Sequence, residues 1–211
     1  VDVSTADLSA EVFGVRWETP LFICPVGGQR AFHADGEMGT ARAAKAKRHT
    51  MILSNVSTYS VEDVAKTLGA PPWQQLYMPL KWDETEKMVK RIEDAGCPVL
   101  VWTVDLLAGR NTPTMTRFAR QDTRNCVSRH VNGAGRPVFR PMYDGLEGRF
   151  NPPDATWATF DRLKTLTLDR HTQIVISCGC RIFNRRLEIA RCFQFAWRCL
   201  VNAIHCNVAR L

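Results

Sequence analysis

Between residues 20 and 105 short apolar runs alternate with segments of helical pattern at a fairly regular interval. PLFICP (20–25), MILSN (51–55), WQQLYM (73–78) and VLVWTVD (99–105) each predict a strand. The intervening segments predict helices. ADGEMGTARAAKAK (34–47) is Ala-rich and unbranched, SVEDVAKTL (60–68) opens with Ser60 and Asp63 in a capping arrangement, and DETEKMVKRIEDAG (83–96) opens in the same way with Asp83 and Glu86. A long connection, 106–155, leads to the helix-like TWATFDRLKTLT (156–167), after which QIVIS (173–177) predicts a fifth strand.

Strand and helix recurring about every 25 to 30 residues is the signature of parallel βαβ units with right-handed crossovers. A doubly wound sheet and a (β/α)8 barrel both satisfy it. VGGQRAF (26–32) does not supply G-x-G-x-x-G, and G-x-x-x-x-G-K-[ST] is absent from the sequence, so periodicity alone leaves the two architectures open. The polar residues are placed unevenly, however. Val26-Gly27-Gly28, Ser54-Asn55, Gln75 with Tyr77, and Thr103 with Asp105 all stand at the C-terminal side of successive strands, the edge at which both architectures bind ligands. Asp105 is the sharpest case, because an unpaired carboxylate buried at the end of an apolar run costs several kcal/mol.

The 211 residues, 45% of them apolar, suffice for one domain with a sizeable core. No apolar run approaches about 18 residues, and VDVSTADLSAEVFG lacks the basic-then-apolar form of a signal peptide. A cytoplasmic chain with no membrane span is therefore expected. The net charge of +7 suggests a nucleic-acid partner until it is located along the chain. From Arg170 onward there are seven arginines against one acid, Glu188, a net +6, whereas the remainder holds 21 basic and 20 acidic residues, a net +1. Five of the eight cysteines, Cys178, Cys180, Cys192, Cys199 and Cys206, share that last stretch. The chain thus divides near residue 168.

CPVGGQRAFHADGEMGTARAA, ILSNVSTYSVEDVA, QQLYM, VLVWTVDLLAGRN and GLEGRFNPPDATWATFDRLKTLT, in this order and spacing, resemble the FMN-dependent α-hydroxy-acid oxidases and dehydrogenases, of the glycolate oxidase and L-lactate dehydrogenase type. The resemblance covers residues 1–167 and implies a partial (β/α)8 TIM barrel, about the first four to five βα units, with FMN as cofactor and a small (S)-2-hydroxy acid as substrate. It implies that Val26 and Gly27 lie against the flavin ring, and that Ser54, Gln75 and Thr103 bond its pyrimidine end, which needs donors and acceptors together. Tyr77 corresponds to the tyrosine that hydrogen-bonds substrate. Asp105 corresponds to the aspartate that orients a histidine base, and Arg110 to the arginine that pairs with the substrate carboxylate. The Arg110 loop is one residue shorter than the family's, so that Asn111 competes for the place.

After residue 167 the pattern departs. Ser177 stands where the family carries a flavin-contacting lysine, and none of His33, His49, His130, His171 and His205 lies in the context of the histidine base. The Arg- and Cys-rich tail, 168–211, reads as translation in a shifted frame, with no selected fold. Its cysteines and His205 lack the two close pairs of a zinc site, and Phe193, Phe195 and Trp197 among the arginines read as an incidental basic helix. The expectation is a chain that is inactive by itself, with no metal and no nucleic-acid partner. The alternative is a noncatalytic half-barrel. Either way, open barrel edges predict self-association.

Overall fold

The computed structural model describes residues 7–13, 15–104, 113–121, 141–147, 150–167, 172–178 and 181–183. A short antiparallel hairpin, β1 (Ala10–Val12) and β2 (Val15–Trp17), comes first. The main sheet follows as β3 (Phe22–Ile23), β4 (Thr50–Ser54), β5 (Trp73–Leu76), β6 (Val99–Thr103), β7 (Gln173–Cys178) and β8 (Arg181–Phe183). Its spatial order is the chain order, and β3 to β7 pair in parallel. A doubly wound sheet reverses its strand order at a switch point. This sheet does not reverse, and it is the arc of a partial (β/α)8 barrel.

Helices α1 (Gly36–Lys47), α2 (Val61–Leu68) and α3 (Trp82–Asp94) connect successive parallel strands, and α4 (Pro113–Gln121) and α5 (Trp157–Thr165) lie between β6 and β7. The Ser60 cap forms as its sequence indicates: Ser60 Oγ accepts from the Asp63 N–H at 3.1 Å, and Gly69 closes the helix at φ 87°. Helix α3 starts one residue earlier than Asp83, with Lys81 at the cap, so Asp83 sits in the first turn, where its charge favours the positive helix end. Helix α4 occupies part of what the sequence shows only as a long connection. The strands are also shorter than their apolar runs, because the last residues of PLFICP and WQQLYM already belong to loops.

Alternation along the strands divides the side chains between two cores. Met51, Leu53, Leu76, Leu100, Trp102, Ile174 and Ile176 pack outward against Ala41, Val64, Met88, Ile92 and Phe160 of the helices. Ile52, Trp73, Val99, Val101 and Val175 pack inward with Trp17, and Val12, Phe13 and Phe22 close over them. Trp73 meets Trp17 and Phe13 at ring-centroid distances of 5.3 and 5.7 Å. The hairpin, which the sequence analysis did not anticipate, thus covers the apolar interior.

Strand β8 lies on the tail side of residue 168. Only two residues separate it from β7, and it returns antiparallel, Ser177 opposite Ile182, since a parallel neighbour needs a crossover of about a dozen residues. Residues 184–211, with Cys192, Cys199, His205 and Cys206, lie outside the described residues. Among the described residues no helix is long and apolar enough to cross a membrane.

Cys97, 1% exposed just before β6, carries a pH signature. Burial pushes its thiol up from 9.0 to about 12, with a smaller contribution from the Glu62 charge. Above pH 9 the unfolded chain loses this proton while the folded chain keeps it, so stability falls as pH rises from about 9 towards 12. Urea titrations across that range should show a declining midpoint in the native chain and a smaller decline in Cys97→Ala.

Candidate functional site

The inward face carries apolar side chains along its length and turns polar at the C-terminal strand ends. Ser54 follows Ile52, Gln75 follows Trp73 and Thr103 follows Val101, each two residues on and therefore on the same side of the sheet. Ser54 Oγ donates to Gln75 Oε1 at 3.1 Å, and Gln75 Nε2 donates to Thr103 Oγ1 at 3.1 Å. Ser54 Oγ in turn accepts from the Val56 N–H at 3.3 Å. All three side chains are buried, at 3%, 2% and 9% exposure. The row uses one donor and one acceptor of the Gln75 amide and leaves one more of each.

Two loops frame the row. Gly27 lies so close to Val56 that a Cβ there would sit 2.4 Å from Val56 Cγ2, 3.0 Å from the Val56 carbonyl oxygen and 3.4 Å from Ser54 Oγ. Only glycine leaves the main chain this near the row. The Gly28 N–H donates to the Val56 carbonyl at 3.1 Å, tying the loops together, and Val26 is half exposed beside them.

A side chain the sequence analysis passed over completes this frame. Glu37 is wholly buried, and its carboxylate accepts from the Gln29 N–H at 3.3 Å, the Thr58 N–H at 3.0 Å and the Thr58 hydroxyl. A buried carboxylate without such bonds costs several kcal/mol. In the sequence it looks like an ordinary acid in a first helical turn, and only the fold brings residue 58 to it.

Tyr77, one residue beyond β5, shares the sequence parity of Trp73 and Gln75, and its ring stacks on Phe150 at 5.5 Å and 17°. Asn55 does not join the row: it takes the opposite parity to Ser54 and reaches Tyr143 and Met88. Asp105 and Arg110 lie outside the described residues. Of the histidines, His49 stands at the entry to β4, 3.3 Å from Thr19 Oγ1 and at the far end of the strand from Ser54. His33 is exposed, and its Nδ1 accepts from the Asp35 N–H.

The donors and acceptors of the row, the interior it closes and the glycine approach suit a planar heteroaromatic ring with a mixed hydrogen-bonding edge. A family model described as FMN-dependent dehydrogenase matches residues 1–170. The chain belongs to the FMN-dependent dehydrogenase family. FMN is that family's cofactor, and the residues present fit it: Gly27 brings bare main chain up to the row where a Cβ would collide with Val56, and the row retains both hydrogen-bonding capacities.

Relatives include a 2-hydroxyacid oxidase of Dictyostelium discoideum, 35% identical over 176 residues, which cover 79% of this chain and 43% of that protein. A 4-hydroxymandelate oxidase of Amycolatopsis orientalis is 38% identical over 128 residues, 59% of this chain and 32% of that one. Among solved structures, mandelate oxidase with (S)-2-phenylpropionate superposes with a TM-score of 0.64 at 28% identity, over 83% of this chain and 46% of that one. The chain spans less than half the length of these relatives.

Gln75 is the hinge of the row. In Gln75→Leu the Ser54 and Thr103 hydroxyls lose their shared partner while the volume is kept, and each unsatisfied group costs about 1–3 kcal/mol. The urea midpoint should fall accordingly; a midpoint equal to that of the native chain would show the row to be energetically idle.

Proposed function

We propose that these βα units form the flavin-facing wall and part of the substrate wall of an FMN-dependent oxidase of small (S)-2-hydroxy acids. The observation that supports this best is the buried Ser54–Gln75–Thr103 row beside Gly27 at the C-terminal strand ends. In this reading Val26 and Gly27 offer main chain to the ring face, and Ser54, Gln75 and Thr103 bond its pyrimidine edge. Tyr77 hydrogen-bonds the substrate, Arg110 pairs with its carboxylate, and Asp105 orients a histidine that accepts the hydroxyl proton. FMN, when bound, supplies the two-electron acceptor. The relatives' names, a 2-hydroxyacid oxidase, a 4-hydroxymandelate oxidase and a mandelate oxidase, support 2-hydroxy acids as the substrate class.

Among the described residues neither His33 nor His49 stands at the row, no histidine of the sequence lies in the context of the family's base, and a missing general base alone costs about 10²- to 10⁴-fold. We therefore propose that this chain binds FMN weakly and does not by itself turn over 2-hydroxy acids. Titration with FMN should quench flavin fluorescence, and Gly27→Ala should weaken the binding. Anaerobic lactate, glycolate or mandelate should then leave the visible flavin band unbleached. Rapid bleaching that Tyr77→Phe or Asp105→Asn abolishes would overturn the proposed inactivity and favour the catalytic reading over the noncatalytic half-barrel.

Self-association is the second part of this reading. Among the described residues β3 pairs on one side only, with β4. Leu21, Val26 and Phe32 beside it are 58%, 51% and 76% exposed, and Val26 and Phe32 line a hollow of about 440 Å³ together with Ile23 and Gln29. Unpaired edges and contiguous apolar surface favour association. Sedimentation should show mass increasing with concentration, and Phe32→Lys should reduce it; a monomer at every concentration would refute the association.

A further inference from the structure

The reading of Tyr77 as a substrate contact leaves open what aims it. Strand β5 ends at Leu76, so the Tyr77 carbonyl must find its donors outside the ladder. It receives two side chains from elsewhere in the chain: Asn55 Nδ2 at 3.0 Å and the Tyr143 hydroxyl at 3.0 Å. These donors also contact each other, Asn55 Nδ2 lying 2.5 Å from Tyr143 Oη. Asn55 is wholly buried, and among the described residues its Oδ1 has no hydrogen-bond partner. Its Nδ2 is thus committed to the Tyr77 backbone and the Tyr143 hydroxyl.

The Tyr77 ring is held by the same region. Phe150 stacks on it and meets Tyr143 at 5.5 Å, while the Asn151 N–H donates to the Met78 carbonyl at 2.8 Å and Pro79 bridges Phe150. The turn carrying Tyr143 is itself fastened. Arg91 donates to the Pro141 carbonyl at 2.7 Å and grips Glu62 with two bonds, at 2.7 and 3.0 Å, and Glu84 accepts from the Glu147 N–H at 3.2 Å.

We propose that Asn55 and Tyr143 are positioning residues that clamp the Tyr77 backbone, with Phe150 as the stop for its ring, and so fix the direction of the phenol at the substrate site. This rests on the reading of Tyr77 given above. The geometry suits the task. Two donors on one carbonyl fix the main chain, one stacked face fixes the ring, and a displacement of about 1 Å at a substrate-orienting group costs about 10²-fold in rate. Consecutive residues at the C-terminal end of β4 divide the work: Ser54, its last residue, turns inward to the polar row, and Asn55, the first beyond it, reaches the clamp.

The chain has three tyrosines, Tyr59, Tyr77 and Tyr143, so ring NMR of the full chain labelled with ε-¹³C tyrosine resolves the question without catalysis. The Tyr77 signal is the one lost in Tyr77→Phe. In Asn55→Ala and in Tyr143→Phe we expect that signal to be displaced and broadened while Tyr59 keeps its position. A role confined to stability would lower the urea midpoint and leave the Tyr77 signal of the folded chain in place, and that result overturns the proposal. Should Asn55→Ala collapse every signal to its unfolded position, Tyr143→Phe, which deletes one oxygen and keeps the ring, decides by the same criterion. FMN with (S)-mandelate added to the native chain separately tests the underlying reading. A Tyr77 signal unmoved by them refutes the substrate contact, whereas one unmoved by both substitutions refutes the clamp.

Discussion

Every second side chain of a parallel strand covered on both faces points into the interior, and the structure depends on how the chain meets that constraint. On β4, β5 and β6 the inward positions before the last, Ile52, Trp73 and Val101, are apolar, and the last carry a hydroxyl, an amide and a hydroxyl. A buried polar group is tolerated only when bonded, so these three side chains bond one another across adjacent strands. Parallel register makes the meeting possible. Ser54 lies opposite Gln75, and Thr103 lies two residues beyond Gln75's partner, Val101. The polar row is thus the form the core takes where it meets the C-terminal edge.

The loops beyond that edge answer to the same requirement. Glu37 buries a carboxylate at the start of α1 and draws two loops onto it, one leading from Gly27 and the other from Ser54. Asn55 buries an amide on the outer side and draws the Tyr143 turn onto the Tyr77 carbonyl. Each ties a loop to the strand ends by bonding its main-chain groups, as the strands bond one another. The Glu62 to Arg91 pair extends this bracing to the helices, and the guanidinium holds the Glu62 carboxyl below the usual carboxylate range. This pair is half exposed, and its value lies in fastening Pro141 more than in its charge energy.

The ends of the arc are managed differently. The hairpin closes one end of the interior with Phe13 and Trp17 packed against Trp73, and β8 occupies the outer edge of β7 in the only direction its short connection permits. On the side of β3, apolar side chains stay exposed.

The sequence by itself determined the alternation of strands and helices, the Ser60 cap, and the identity of Ser54, Gln75, Tyr77 and Thr103 as strand-end polar residues, because period and local capping chemistry are properties of neighbouring residues. Ordered blocks from CPVGGQRAF to VLVWTVDLLAGRN also carried the family and its cofactor. The choice of a barrel arc over a doubly wound sheet was settled only by strand order, which no local pattern encodes. Glu37, Tyr143 and Phe150 were illegible for a related reason, and Asn55 was legible only as a strand-end polar residue. The partners of these four lie 7 to 88 residues away in the chain. A buried polar group acquires its meaning from the atom that satisfies it, and tertiary structure alone brings that atom into reach.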